Sequence, residues 1–208
     1  MSSSIENIEK VLGAKRFGDR SVQIDWILTD SRSLCFPEET LFFALKTKRN
    51  DGHKYLPELY ERGVRNFVVG ELPADMKSFQ DANPLKGLQK LAEKHREQFQ
   101  IPVIGITGSN GKTIVKEWLY QLLSPDRVVT RSPRSYNSQI GVPLSVWLMN
   151  ERTELAIFEA GISEMGEMEA LQTIIKPTVG ILTNIGGAHQ ENFFSLQDKC
   201  MEKLTLFK

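Results

Sequence analysis

The feature that most limits how this chain can fold is a short apolar run, Val103-Ile104-Gly105-Ile106-Thr107, passing straight into Gly108-Ser109-Asn110-Gly111-Lys112-Thr113. The run shows no polar alternation, so it reads as a strand buried on both faces of a parallel sheet. Gly108 and Gly111 permit backbone angles and close approaches that side chains would block. Successive backbone N–H groups over residues 108–113 (Gly108, Ser109, Asn110, Gly111, Lys112 and Thr113) then point inward as an anion nest, backed by the positive end of the helix that follows. Lys112 is placed to reach β- and γ-phosphates, and the Thr113 hydroxyl to ligate Mg2+. A strict phosphate loop carries Gly five positions before Gly111, where this chain has Ile106, so the match is to a variant with Gly105 one step back. The loop points to nucleotide binding and leaves ligase, kinase and GTPase open. No Asp-x-x-Gly follows at the next apolar strand and no Asn-Lys-x-Asp occurs, which disfavours a GTPase.

The elements around this loop alternate. Before it, Ser3-Ser4-Ile5-Glu6 has capping-box spacing, and Ile5, Ile8, Val11 and Leu12 recur at helical intervals until Gly13. Strand-like runs follow at Val22–Leu28, Thr40–Leu45 and Asn66–Val69, with helices over Tyr55–Arg62 and Pro84–Phe99. Gln100-Ile101-Pro102 marks a junction. After it the spacing predicts a helix over Lys112–Leu123, a strand over Val128–Thr130 and a helix over Ile140–Met149. A strand over Leu155–Glu159, a helix over Gly166–Ile175, a strand over Val179–Thr183 and a helix from Leu196 complete the order. That order predicts an α/β fold with a parallel sheet and crossover helices. The chain reaches Lys208 inside an amphipathic helix with no Gly, Asn or Pro to stop it, and reads as the front part of a longer protein.

Functional groups of an open parallel sheet collect at the carboxyl ends of its strands. Two later strands deliver candidates there. Leu155-Ala156-Ile157-Phe158 runs into Glu159, and Val179–Asn184 runs into Ile185-Gly186-Gly187-Ala188-His189. Glu159 suits a hard cation such as Mg2+, and equally a solvated strand end. His189 suits a metal, or a loop carbonyl. His95, within Glu93-Lys94-His95-Arg96, reads as a solvated helix residue.

Composition narrows the setting. The 208 residues are 40% hydrophobic and 25% charged, the balance of one large or two small globular domains. Basic and acidic residues cancel, 26 − 26 = 0, so no basic field attracts nucleic acid. Cys35 and Cys200 match no zinc or redox spacing. With neither a secretion signal nor 18 consecutive apolar residues, the expected home is the cytoplasm, away from membranes.

Together these residues resemble the Mur ligase family, the ATP-dependent amide ligases that build the peptidoglycan stem peptide. Thr107–Thr113 is similar to the family's ATP loop, and Asn137-Ser138-Gln139-Ile140-Gly141-Val142-Pro143-Leu144 to its Asn-x-x-x-Gly-x-Pro-Leu segment. Phe158-Glu159-Ala160-Gly161 and Asn184–His189 resemble its two metal-binding strand ends. Thr29-Asp30-Ser31-Arg32, Leu41–Leu45 and Asp51-Gly52-His53 resemble the uridine-binding domain of later-acting members. Departures fall at Ala160-Gly161-Ile162, where relatives commonly have Met-Gly-Ala, and at Lys203-Leu204-Thr205, where they commonly have Lys-Gly-Glu.

The resemblance implies a small N-terminal α/β UDP-substrate domain over residues 1–100. A partial P-loop ATPase domain, with a mainly parallel sheet and flanking helices, follows over residues 101–208. It also implies an acyl-phosphate mechanism using ATP and Mg2+, with UDP-N-acetylmuramoyl-tripeptide and D-alanyl-D-alanine as substrates. Lys112 clamps phosphate, Thr113 and Glu159 hold one Mg2+, and His189 with a carbamylated Lys203 holds a second. Asn137 contacts the UDP-linked substrate, and Ser31, Arg32 and His53 serve its uridine and diphosphate end. The charge pattern of its helix, taken alone, reads Lys203 as solvated. Alternatives are the sister ligase that adds the third stem-peptide residue, and a nucleotide or UDP-sugar binding module without turnover.

Overall fold

Residues 3–16, 21–47, 50–70, 79–80, 83–187 and 192–208 are described by the computed structural model. The chain divides into two units, Met1–Leu91 and Ala92–Lys208. No helix among the described residues is long and apolar enough to cross a membrane.

In the first unit, β1 (Ser3–Ser4) leads into α1 (Ile5–Leu12), whose Ile5, Ile8 and Leu12 are buried. The helix is capped one residue later than the Ser3–Glu6 spacing suggests: the Ser4 hydroxyl accepts from the Asn7 N–H at 3.2 Å. Gly13 ends it in the left-handed region, φ 64°. β2 (Gln23–Ile24) pairs antiparallel with β1. β3 (Trp26–Leu28), β4 (Thr40–Phe43), β5 (Asn66–Val69) and β6 (Phe79–Gln80) form a parallel sheet in chain order. β4 and β5 are buried along their whole length. Phe42 and Phe67 meet edge to face beneath Leu56 and Leu59 of α2 (Leu56–Glu61).

α3 (Pro84–Arg96) opens in the first unit and closes in the second, so the division into units falls inside this helix. The cause is its last turn. Ala92 joins the second unit's core. His95 is buried against Phe99 and Trp147, with Nε2 2.9 Å from the Met149 carbonyl oxygen. Arg96 donates to the carbonyls of Ile175, Phe99 and Lys176 at 2.9, 2.7 and 3.1 Å. The expectation of a solvated His95 is therefore corrected: burial holds its pKa below the usual imidazole value and favours the neutral ring.

The second unit is a three-layer arrangement. Its elements are β7 (Val103–Thr107), α4 (Lys112–Leu123), β8 (Val129–Arg131), α5 (Gly141–Val146) and β9 (Leu155–Glu159). α6 (Glu167–Ile175), β10 (Val179–Leu182) and α7 (Leu196–Leu204) follow. The strands pair in parallel in the order β10-β7-β9-β8. Alternation within the buried strands sets the layers. Ile104, Ile106, Leu155 and Ile157 face Val115, Leu119 and Leu123 of α4. Val103, Ala156 and Phe158 face Val142 and Val146 of α5 and Met168, Leu171, Ile174 and Ile175 of α6. Glu159 shares its parity with Leu155 and Ile157. The pleat itself sends that carboxylate to the α4 side.

Candidate active site

The connections after β7 and β9 leave on opposite faces of the sheet, so the carboxyl ends of these neighbouring strands part and leave a crevice. A cavity of about 190 Å³ lies there, lined by Gly108, Ser109, Lys112, Asn137, Gly161 and Lys203 among others. The loop after β7 reaches it only because its first residue has no side chain. Gly108 has φ 142°, and a Cβ at this position would run into the Thr183 hydroxyl. The loop is clamped from the end of β10: Ser109 N–H donates to the Asn184 carbonyl at 2.9 Å and Asn110 N–H to the Asn184 side chain at 3.0 Å. This narrows the expected nest. With those amides engaged, the amides for an anion are those of Gly111, Lys112 and Thr113 at the first turn of α4.

Cations gather around that turn. Lys112 and Lys203 both donate to the Gly108 carbonyl, at 2.8 and 3.2 Å. Lys199, one turn before Lys203 on α7, donates to the Gly186 carbonyl at 2.6 Å. Lys199 and Lys203 are buried, which corrects the reading of Lys203 as a solvated helix lysine. Burial lowers the Lys112 pKa; Glu159 opposes that shift and Lys199 adds to it. Burial, then Lys112, then Lys199 push the Lys203 pKa down to about 8. Such like-charged ammoniums in a shared crevice form a field that an anion relieves.

Glu159 faces this cluster from β9, wholly buried. Its Oε2 accepts from the Thr113 hydroxyl at 3.1 Å and from the Asn137 amide at 3.5 Å. Its Oε1 lies 2.9 Å from the ammonium of Lys116, which is also wholly buried. Gly161 is small because Asn137 sits against it: a Cβ there would lie 2.9 Å from the Asn137 side-chain oxygen. The Thr113–Glu159 pair suits Mg2+, because adjacent oxygens of an octahedron with 2.0–2.1 Å bonds lie about 2.9 Å apart.

The structure thus brings together Gly108, Ser109, Asn110, Gly111, Lys112, Thr113, Asn137, Glu159 and Lys203. His189 lies outside the described residues. The remaining candidates belong to the first unit. Ser31 is buried after β3, with its carbonyl accepting from Arg62 at 3.0 Å. The exposed Arg32 pairs with Asp30 at 2.6 Å. Both His53 ring nitrogens are engaged: Nδ1 with Asp51 at 2.7 Å, and Nε2 accepting from the Gly70 N–H at 3.2 Å. Sequence reading missed Lys116 and Lys199. Each lies four residues from a lysine it did find, Lys112 and Lys203, and that one-turn helical spacing was the available signal.

Comparison with known proteins bears on the family and the fold. Residues 106–208 match the profile of the Mur ligase middle domain. The UDP-N-acetylmuramoyl-tripeptide–D-alanyl-D-alanine ligase of Bacillus subtilis (strain 168) is 33% identical over 187 residues, covering 88% of this chain and 40% of that protein. The ligase of the same name from Borreliella burgdorferi is 35% identical, covering 96% of this chain and 43% of that protein. MurF from Acinetobacter baumannii superposes on all of this chain with a TM-score of 0.91 at 27% identity, over 46% of its own length. MurF ligase from Thermotoga maritima, solved in complex with ADP, superposes on 88% of the chain with a TM-score of 0.79 at 31% identity, over 42% of its own length. The chain spans less than half the length of these relatives.

Proposed function

Since the chain belongs to the Mur ligase family, we propose that the protein it forms joins D-alanyl-D-alanine to UDP-N-acetylmuramoyl-tripeptide at the expense of ATP. The setting proposed is cytoplasmic peptidoglycan precursor synthesis, which suits two cysteines that are both free thiols. One observation carries the reading: Lys112 and the Thr113–Glu159 oxygen pair stand at the mouth of one crevice, beside the buried Lys199 and Lys203.

A carboxylate is a poor acyl donor because its oxygen is a bad leaving group. In the proposed sequence the stem-peptide carboxylate attacks the γ-phosphorus, the bond to the β-phosphate oxygen breaks, and an acyl phosphate and ADP result. The amine of D-alanyl-D-alanine then attacks the acyl carbon, and inorganic phosphate and a proton depart. The chain's work is to bring anions together and to spread their charge. Lys112 and the first-turn amides of α4 hold the β- and γ-phosphates, and Lys199 adds positive potential from the far wall. Thr113 and Glu159 are the residues that would hold one Mg2+, and His189 with a carbamylated Lys203 those for a second. Bound there, Mg2+ would supply charge neutralisation between carboxylate and phosphate. Burial suits Lys203 to carbamylation, since a pKa near 8 raises the share of neutral amine, the form that adds CO2. Asn137, Ser31, Arg32 and His53 complete the proposal on the UDP-substrate side.

The test is Lys112→Ala in the full-length protein, read as phosphate release with all three substrates and as ADP affinity. We expect turnover to fall about 10²-fold or more, as for loss of one phosphate-directed contact. Near-wild-type turnover removes the loop from the mechanism.

A further inference from the structure

Lys116 lies one turn beyond Lys112 on α4, and its side chain runs into the protein interior. Its side chain is wholly buried, where a lysine is costly unless every donor is met. An ammonium has three N–H groups; two find carbonyl acceptors, and Glu159 supplies an opposite charge at ion-pair distance. Nζ donates to the Ser132 carbonyl at 2.8 Å and to the Arg134 carbonyl, and it lies 2.9 Å from Glu159 Oε1. Glu117 stands 3.2 Å away on the outer side and is shared with Arg131 at 3.1 Å. Arg134 holds a left-handed φ of 48°, unfavourable for a residue with a Cβ. Lys116 meets the carbonyl of that residue.

The segment so held carries residues of the site. Ser132 Oγ accepts from the Glu159 N–H at 3.2 Å, Ser135 Oγ lies 3.4 Å from Thr113 Oγ1, and the Asn137 amide reaches Glu159 Oε2 at 3.5 Å. A single buried ammonium therefore ties α4, the segment from Ser132 to Asn137, and the end of β9 to one another. It engages one carboxylate oxygen and leaves the other beside Thr113. Burying an ion pair is seldom the cheapest way to stabilise a fold, since apolar side chains of similar volume often serve as well or better. The arrangement does what apolar packing cannot: it fixes a carboxylate in one orientation.

We propose that Lys116 is a positioning residue, whose buried ammonium aims Glu159 Oε2 at Thr113 and so builds the Mg2+-facing side of the phosphate site in advance. The inference rests on the reading of Thr113 and Glu159 as the residues that hold Mg2+ beside the nucleotide. It assigns Lys116 no contact with substrate; Lys116 acts through Glu159.

The experiment is ADP affinity in the full-length protein by calorimetry, in EDTA and in Mg2+, the ratio being the Mg2+ enhancement. Wild type, Lys116→Met, Glu159→Gln and the double variant are compared, with melting curves for each. We expect Lys116→Met to keep its EDTA affinity within threefold of wild type and to lose at least tenfold of the enhancement. The double variant should match Glu159→Gln in its Mg2+ enhancement, because the proposal routes the lysine's effect on Mg2+ through that carboxylate. A folded Lys116→Met with enhancement within twofold of wild type overturns the inference. So does a double variant that cannot fold although Glu159→Gln does, since Lys116 is then scaffold alone. Should Lys116→Met by itself fail to fold, the match between a folded double variant and Glu159→Gln supports the proposal, and a further tenfold loss in the double overturns it. Wild type without any Mg2+ enhancement overturns the underlying reading of the site. Enhancement present in wild type and retained in the variant overturns the inference alone.

Discussion

Both units are built on a four-stranded parallel sheet, yet they treat the polar groups at its carboxyl edge in opposite ways. In the first unit the strands follow chain order, β3-β4-β5-β6, and among the described residues no strand is flanked on one side by a much later one. Its strand-end polar groups answer one another: Arg32 pairs with Asp30, and Asp51 holds His53, which accepts from Gly70. In the second unit the order β10-β7-β9-β8 sets β7 between later strands and parts the loops. There the lysines meet carbonyl oxygens, and burial first, with neighbouring ammoniums adding to it, holds the pKa values of Lys112 and Lys203 down. Strand order decides whether a sheet edge closes on itself or keeps an open, charged crevice.

The sharpest way to break that contrast is to fill the glycines. Gly108→Ala places a Cβ into the Thr183 hydroxyl and within 3.1 Å of the Asn184 backbone, at φ 142°. Backbone strain and overpacking together should cost about 2–5 kcal/mol and abolish ADP binding. Gly13→Ala in the first unit has φ 64° and nothing within 4 Å. It should cost only about 1 kcal/mol. Denaturant midpoints check both. Equal costs would mean that the crevice is no tighter than a helix end.

The ease with which each unit was read from sequence follows the same division. The β7 loop, the strand running into Glu159 and the βα alternation are local patterns, and the structure keeps their order, although the helices predicted to end at Phe99 and Met149 stop three residues early, at Arg96 and Val146. Lys116 and Lys199 had only their one-turn spacing from Lys112 and Lys203 to mark them, and charge on a helix reads as exposure. Only partners distant in sequence, Glu159 and the Ser132 carbonyl for one and Gly186 for the other, reverse that reading. His95 was misread for the same reason, its partner being the carbonyl of Met149. Periodicity reveals which face of a helix is apolar. It does not reveal which lysine has a carbonyl waiting for it.

A smaller effect separates the units by pH. The Lys203 pKa is about 8 in the folded protein, below the ordinary lysine value, so the unfolded chain binds the extra proton. The penalty is therefore fully present below about pH 8, and stability rises as pH climbs from there toward the ordinary lysine range. Asp51 in the first unit behaves oppositely. Hydrogen bonds from the His53 backbone and then its ring hold the Asp51 pKa down, so its contribution is present above the ordinary aspartate range and is lost in acid. Lys203→Met should add about 1–2 kcal/mol at pH 7, by removing a buried cation from a cationic crevice, and should flatten the alkaline rise. A variant that melts lower than wild type at pH 7 would show that this crevice stores no charge strain.

The least perturbing substitution asks whether the first unit's edge is closed in function as well as in structure. The Arg32 side chain is 87% exposed and its partner Asp30 is 44% exposed. A pair so open to solvent contributes little, so Arg32→Ala should change stability by no more than about 0.5 kcal/mol. Its effect on binding is a separate quantity. If Arg32 serves the diphosphate end of the UDP-linked substrate, loss of a charge-assisted contact should weaken UDP binding about tenfold, with ADP affinity unchanged. The guanidinium would then leave Asp30 for the ligand, and the apparent closure of this edge would be the resting state of an anion site. UDP affinity that stays at the wild-type value would mean that the Asp30–Arg32 pair is surface decoration. The open crevice of the second unit would then be the anion site at a strand end for which the described residues give evidence.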